Sequence, residues 1–103
     1  MSEMITSVDR LSPDLPSDFS LSQNFPNPFN PTTSITFDVP RRSSLRLAVY
    51  DVLGRKVMTL SEGVYEAGSY SVNADFSRHA SGIYIYRLEA GSFIQVRKLV
   101  VAK

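Results

Sequence analysis

The sequence predicts an all-β fold, and three observations carry the prediction. Turn-forming residues recur about every ten positions from Phe19 onward. The segments between them are rich in β-branched and aromatic residues that alternate with polar ones, and no stretch has the apolar spacing of an amphipathic helix of useful length. A chain of 103 residues has room for one core, so one compact domain is expected. Residues 1–18 are rich in Ser, Asp and Pro, with apolar residues too sparse to set a period. They read as a linker or frayed terminus, which leaves 19–103 as the domain.

A short strand is expected around Phe19 to Gln23. Ile35, Phe37 and Val39 then alternate with Thr36 and Asp38, and Pro40 ends the run because it has no N–H for a ladder, so Thr33 to Val39 reads as a strand. Leu45, Leu47 and Val49 alternate in the same way up to Asp51-Val52-Leu53-Gly54, where Gly54 supplies the backbone freedom a tight turn needs. Ser44 to Tyr50 and Lys56 to Leu60 therefore read as a hairpin. After Gly68, residues Tyr70, Val72, Ala74 and Phe76 line one face of the next strand. Gly82 opens Ile83 to Leu88, and Ala90-Gly91-Ser92 turns the chain into Phe93 to Ala102 as a second hairpin. About seven strands suit a two-sheet antiparallel β-sandwich of immunoglobulin-like architecture. Alternation does not choose the inward face of Val57, Met58 and Leu60, nor of Ile94 to Val101; these strands are expected to be central, bulged or covered on both sides.

Composition removes several function classes. Eleven Lys and Arg against ten Asp and Glu leave a net charge of +1 with the cations scattered, so no nucleic acid partner is expected. No apolar run approaches the roughly 20 residues of a transmembrane segment. Met1 to Ser20 has neither a basic start nor an apolar core, so a secreted role would make the chain the tail of a longer parent with its export signal upstream. Without cysteine there are no disulfides, thiolate nucleophiles or zinc–thiolate sites. His79 stands alone in a polar turn and reads as a solvated loop histidine. Asp51 and Asp75 fall in different turns with nothing to join them as an acid–base pair, and Ser81-Gly82 lacks the glycine and helix of a nucleophile elbow. No metal, no cofactor and no enzymatic activity are expected.

The segment Leu21-Ser22-Gln23-Asn24-Phe25-Pro26-Asn27-Pro28-Phe29-Asn30-Pro31-Thr32-Thr33 resembles the opening motif of type A C-terminal sorting domains of the Por (type IX) secretion system. The resemblance continues through Val49-Tyr50-Asp51-Val52-Leu53-Gly54-Arg55-Lys56-Val57, Ala67-Gly68, Ser81-Gly82-Ile83-Tyr84-Ile85-Tyr86-Arg87-Leu88 and Lys98-Leu99-Val100-Val101-Ala102-Lys103. It covers Leu15 to Lys103. Family members commonly have tryptophan before the aspartate of Asn73-Ala74-Asp75-Phe76, and this chain does not. The resemblance implies a domain folded in the periplasm, carried behind upstream cargo domains, read by an outer-membrane translocon and commonly removed by a sortase-like peptidase at the cell surface. Motif residues Asn24, Pro26, Asn27, Pro28, Phe29, Asn30, Pro31, Gly54, Arg55, Val57, Gly68, Gly82 and Tyr84 carry it.

Two segments compete as the address. Pro26, Pro28 and Pro31 fix their own φ and push the residues before them towards extended conformations, so the segment reads as a stiff, polyproline-like strap. As a crossover it would bury Phe25 and Phe29 while Asn24, Asn27 and Asn30 make Asx turns. As a recognition surface it would lose little entropy on binding. The last hairpin is the better candidate, because a strand at a sheet edge can pair with a receptor strand. There Arg97, Lys98, Leu99, Val100, Val101 and Lys103 are the recognition candidates: Lys98 and Lys103 set the charge, and Leu99 and Val101 fill pockets. Alternatively the lysines guard the edge against aggregation and the apolar residues belong to the core. Tyr65, Tyr70, Tyr84 and Tyr86 raise a second function, a carbohydrate-binding or cell-adhesion module that stacks sugars on exposed rings.

Overall fold

The computed structural model describes residues 8–12 and 15–103, and every regular element in them is a β-strand. In order these are β1 (Val8–Ser12), β2 (Ser20–Leu21), β3 (Thr32–Val39), β4 (Ser43–Tyr50), β5 (Lys56–Tyr65), β6 (Gly68–Asp75), β7 (Gly82–Ala90) and β8 (Phe93–Val101). They form two antiparallel sheets, ordered β1-β6-β3-β2 and β5-β4-β7-β8. The chain changes sheet between β3 and β4, between β5 and β6, and again between β6 and β7, the connectivity of an immunoglobulin-like sandwich.

The eighth strand corrects the reading of 1–18 as a linker. Val8–Ser12 pairs along β6, with Val8 opposite Val72 and Arg10 opposite Tyr70. Main-chain pairing to an open sheet edge asks for no apolar period, which is why alternation gave no sign of it. The rest of residues 1–14 lies outside the described residues.

The core lies between the sheets, and alternation located its β3, β4 and β6 positions. Ile35, Phe37 and Val39 of β3 and Val72 and Ala74 of β6 face Leu47 and Val49 of β4 and Tyr86 and Leu88 of β7, all buried. In β5 the parity conflict comes from two bulges. Leu47 lies opposite Ser61 and Ala48 opposite Thr59, so Leu60 is extra; Val49 lies opposite Met58 and Tyr50 opposite Lys56, so Val57 is extra. In β8 the conflict is settled by the hairpin. Gly91, at φ +61°, takes the first central position of a two-residue turn of type II′ character, and this pairs Ala90 with Phe93 and Tyr84 with Leu99. Leu99 and Val101 therefore point inward, while Ile94, Val96, Lys98 and Val100 point outward.

Candidate recognition site

β8 is an edge strand, but the edge is not bare along its second half. The proline-rich strap, which joins β2 to β3 in one sheet, runs beside β8 of the other. Phe29 N–H donates to the Val100 carbonyl at 3.2 Å, and Ala102 N–H donates to the Phe29 carbonyl at 2.9 Å, in a short parallel bridge. Side chains take over where the strap's main chain does not serve. Gln23 Nε2 donates to the Lys98 carbonyl at 2.7 Å, and Asn27 Oδ1 accepts from Val100 N–H at 3.0 Å. Pro26 and Pro28 have no N–H to offer, so a polar side chain standing in for a strand partner is what the composition permits. The two candidate segments thus form one unit.

The strap departs from expectation in two respects. It bends through Pro26–Pro28 and again at Asn30–Pro31, with cis peptide bonds before Pro26, Pro28 and Pro31, rather than running as a polyproline helix. Of its two phenylalanines only Phe29 is buried, at 3% exposure, set edge-on against Phe76; Phe25 is 79% exposed. The reason is the reciprocal bridge between Phe25 and Ser34, both N–H···O distances 2.9 Å, which turns Phe25 outward and Asn24 inward. Buried Asn24 donates from Nδ2 to the Pro26 carbonyl and to Thr33 Oγ1, and Thr33 Oγ1 donates to the same carbonyl, so this asparagine pins the strap to β3. Asn27 reaches β8 instead of making the expected Asx turn.

The inner side of β8 closes the same flank. Arg97 donates from Nε to the Leu21 carbonyl, Gln95 Oε1 accepts from Leu21 N–H at 3.3 Å, and Phe93 stacks on Phe19 at 5.2 Å. Gln95 and Gln23 were missed as contact residues. The two-residue turn at Gly91-Ser92 could have found Gln95, because it fixes the register and hence the parity of the whole strand.

Of the recognition candidates, Leu99 and Val101 are core residues and do not reach a surface pocket in the folded domain. Arg97 is turned inward onto Leu21. Lys103 Nζ caps the turn after β6 by donating to the Ser77 and His79 carbonyls, so its charge is engaged locally. Lys98 is exposed and Val100 half-exposed on the outer face.

The other motif residues build turns and core. Asp51 Oδ1 accepts from Leu53 N–H and Arg55 N–H, and Oδ2 accepts from Arg55 Nε at 2.9 Å. These bonds, the Arg55 main-chain one foremost, lower the Asp51 pKa, and Gly54 at φ +85° closes the turn. Asp75 is likewise lowered by accepting from Ser77 N–H in a separate turn. Both carboxylates serve to close turns. Val57 is one of the two β5 bulges, Gly68 starts β6 opposite Val39, and Gly82 starts β7 opposite Val101. Pro31 and Asn30 close the strap, where the Pro31 carbonyl accepts from Phe76 N–H.

The four tyrosines raised as a sugar platform pack into the fold to different depths. Tyr70, Tyr84 and Tyr86 are buried and Tyr65 packs against Phe37 and Tyr70. Tyr70 and Tyr84 each donate to the carbonyl four residues back, Glu66 and Ala80, and Tyr86 donates to the Ser22 carbonyl at 2.7 Å. Burial pushes the Tyr86 hydroxyl up to about 12, against the opposing effects of the Asn24 main chain and the Arg97 charge. His79 is half-buried with its ring against Phe76, more packed than a solvated loop residue. Among the described residues no three His, Cys, Asp or Glu gather as metal ligands, and no helix is long and apolar enough to cross a membrane.

The chain matches the family described as the secretion system C-terminal sorting domain over residues 23–102, from the strap to the end of β8. No curated protein and no solved structure matches it. The matched span contains the strap, the Asp51–Gly54 turn and both strands of the last hairpin, so the sequence motifs and the structural unit coincide. The chain therefore belongs to the C-terminal sorting domains of the Por (type IX) secretion system, signals that address a protein for export to the cell surface or beyond.

Proposed function

We propose that this domain is a non-catalytic handle: it folds in the periplasm behind a cargo, an outer-membrane translocon reads it, and a sortase-like peptidase removes it during surface anchoring. The observation that supports this reading best is the strap bound to the β8 edge, which presents the last hairpin as an ordered feature of a folded body. A strand held in one conformation loses little entropy when a receptor docks on it. That the motif's polar side chains are committed to turns and to the strap supports a role without bond chemistry.

A reporter with its own inner-membrane export signal, followed by this chain, tests the proposal in a host with a competent secretion system. The reporter is expected outside the cell with the intact chain, and in the periplasm when Arg97 to Lys103 are removed. Export that persists after the deletion sinks the assignment to the last strand, and periplasmic retention of the intact fusion sinks the function itself.

A further inference from the structure

An antiparallel sheet that packs on one face normally turns polar residues to water on the other. The β5-β4-β7-β8 sheet does this on β4, where Arg46 pairs with Glu89 at 3.1 Å, but not towards β8. Of the outward positions of β8, only Lys98 is charged: Ile94 is 61% and Val96 53% exposed, and Val100 is half-exposed. Across from Val100 on β7 stands Ile83, 46% exposed, and across from Lys98 stands Ile85. Val52, on the turn after β4, borders the shallow grooves beside Ile83 and Ile85 and is 70% exposed. These neighbours make a contiguous apolar strip, which is the kind of surface patch that marks a contact.

The charges around the strip give the partner's chemistry. One row across the sheet reads Lys56, Tyr50, Ile85, Lys98, by direct pairing of each with the next. Paired residues share a face, so both lysines project outward at either end of an apolar centre. The arginines here have carboxylate partners: Arg87 shares Glu89 with Arg46, at 2.7 Å, and also lies over the Tyr50 ring at 4.7 Å, and Arg55 pairs with Asp51. Lys56 and Lys98 have no carboxylate partner among the described residues. With three inter-strand steps between them, the two ammonium stems stand about 14 Å apart.

We propose that the outward face of β7 and β8 is a docking surface for a protein partner that presents an apolar ridge flanked by two carboxylates at that spacing. The proposal rests on the sorting function proposed above, and it moves recognition from the strap-covered edge of β8 to its open face. Apolar contact would give the affinity, and the lysines would set orientation and exclude basic partners.

The reporter fusion tests it with variants that leave the core alone. Reversing both charges, Lys56→Glu with Lys98→Glu, is expected to lower the exported fraction by roughly tenfold or more, since like charges at a contact cost several kcal/mol. Val96→Ser is expected to lower it several-fold, whereas Val64→Ser, a similarly exposed valine on β5 at the other edge of the sheet, is expected to export as the parent does. Thermal melts of the purified domains verify folding; if the double reversal melts early, Lys56→Gln with Lys98→Gln replaces it with the same expectation. Full export of the charge variant beside a working parent fusion overturns this inference and leaves the sorting function standing. A parent fusion that is not exported removes both. Binding of the purified domain to vesicles of phosphatidylglycerol, lost in the charge variant, would overturn it too, by assigning the face to a lipid surface.

Discussion

Tyr86 shows how much one residue can carry when its position is fixed on both sides. Its ring is buried between the sheets, and its hydroxyl crosses to the Ser22 carbonyl at 2.7 Å, tying β7 to the end of β2. Because burial raises its pKa to about 12, the folded domain holds the neutral phenol while the unfolded chain ionises near the ordinary value of about 10. The contribution is whole below about pH 10 and is lost as pH rises through about 12. Tyr86→Phe keeps the ring and removes the hydroxyl, so it is expected to cost about 1 kcal/mol at neutral pH. Urea midpoints at pH 7 and pH 11 check this: the parent should lose more stability between them than the variant. An equal loss would mean that the hydroxyl titrates alike in both states.

The strap and β8 act together, and their contact has a separable part. Val100 N–H depends on the Asn27 side chain, whereas Ala102 N–H depends on the Phe29 main chain. Asn27→Ala is therefore expected to speed hydrogen exchange at the Val100 amide while leaving Ala102 protected, at a stability cost of about 1 kcal/mol. Loss of protection at both amides would show that the side chain, not the buried Phe29, holds the strap. Such contacts mark where sequence reading stopped. The period-two pattern located β3, β4 and β6, because their inward residues meet another sheet and their outward ones meet water, whereas β7, apolar on both faces, was marked only by the turns at its ends. It failed where main-chain or polar groups do the joining: β1 on β6, Gln23 on Lys98, Arg97 on Leu21. It also failed for Phe25, since the bridge to Ser34 that turns the ring outward depends on a partner nine residues along the chain. The motif positions were legible, but the pairing of the two candidate segments needed the third dimension.

At the scale of the molecule, the sandwich has a flank to close. β2 and β8 are the edge strands on that flank, one from each sheet, and β2 is only two residues long. The strap fills the gap by belonging to one sheet in sequence and to the other in hydrogen bonding. Phe29 is where those roles meet, since its main chain pairs with β8 and its ring is buried against Phe76. Truncating a buried phenylalanine typically costs 3–5 kcal/mol, a large share of the roughly 5–15 kcal/mol that holds a domain of this size together. Phe29→Ala is expected to fall in that range and to expose the Val100 and Ala102 amides together, because the cavity and the freed strap lie at one place. Phe25→Ala, four residues earlier in the same motif, is expected to change stability by less than about 0.5 kcal/mol, since its ring is already in water. Denaturant unfolding of the two variants compares them directly. Equal costs would mean that the strap is held along its length rather than at Phe29.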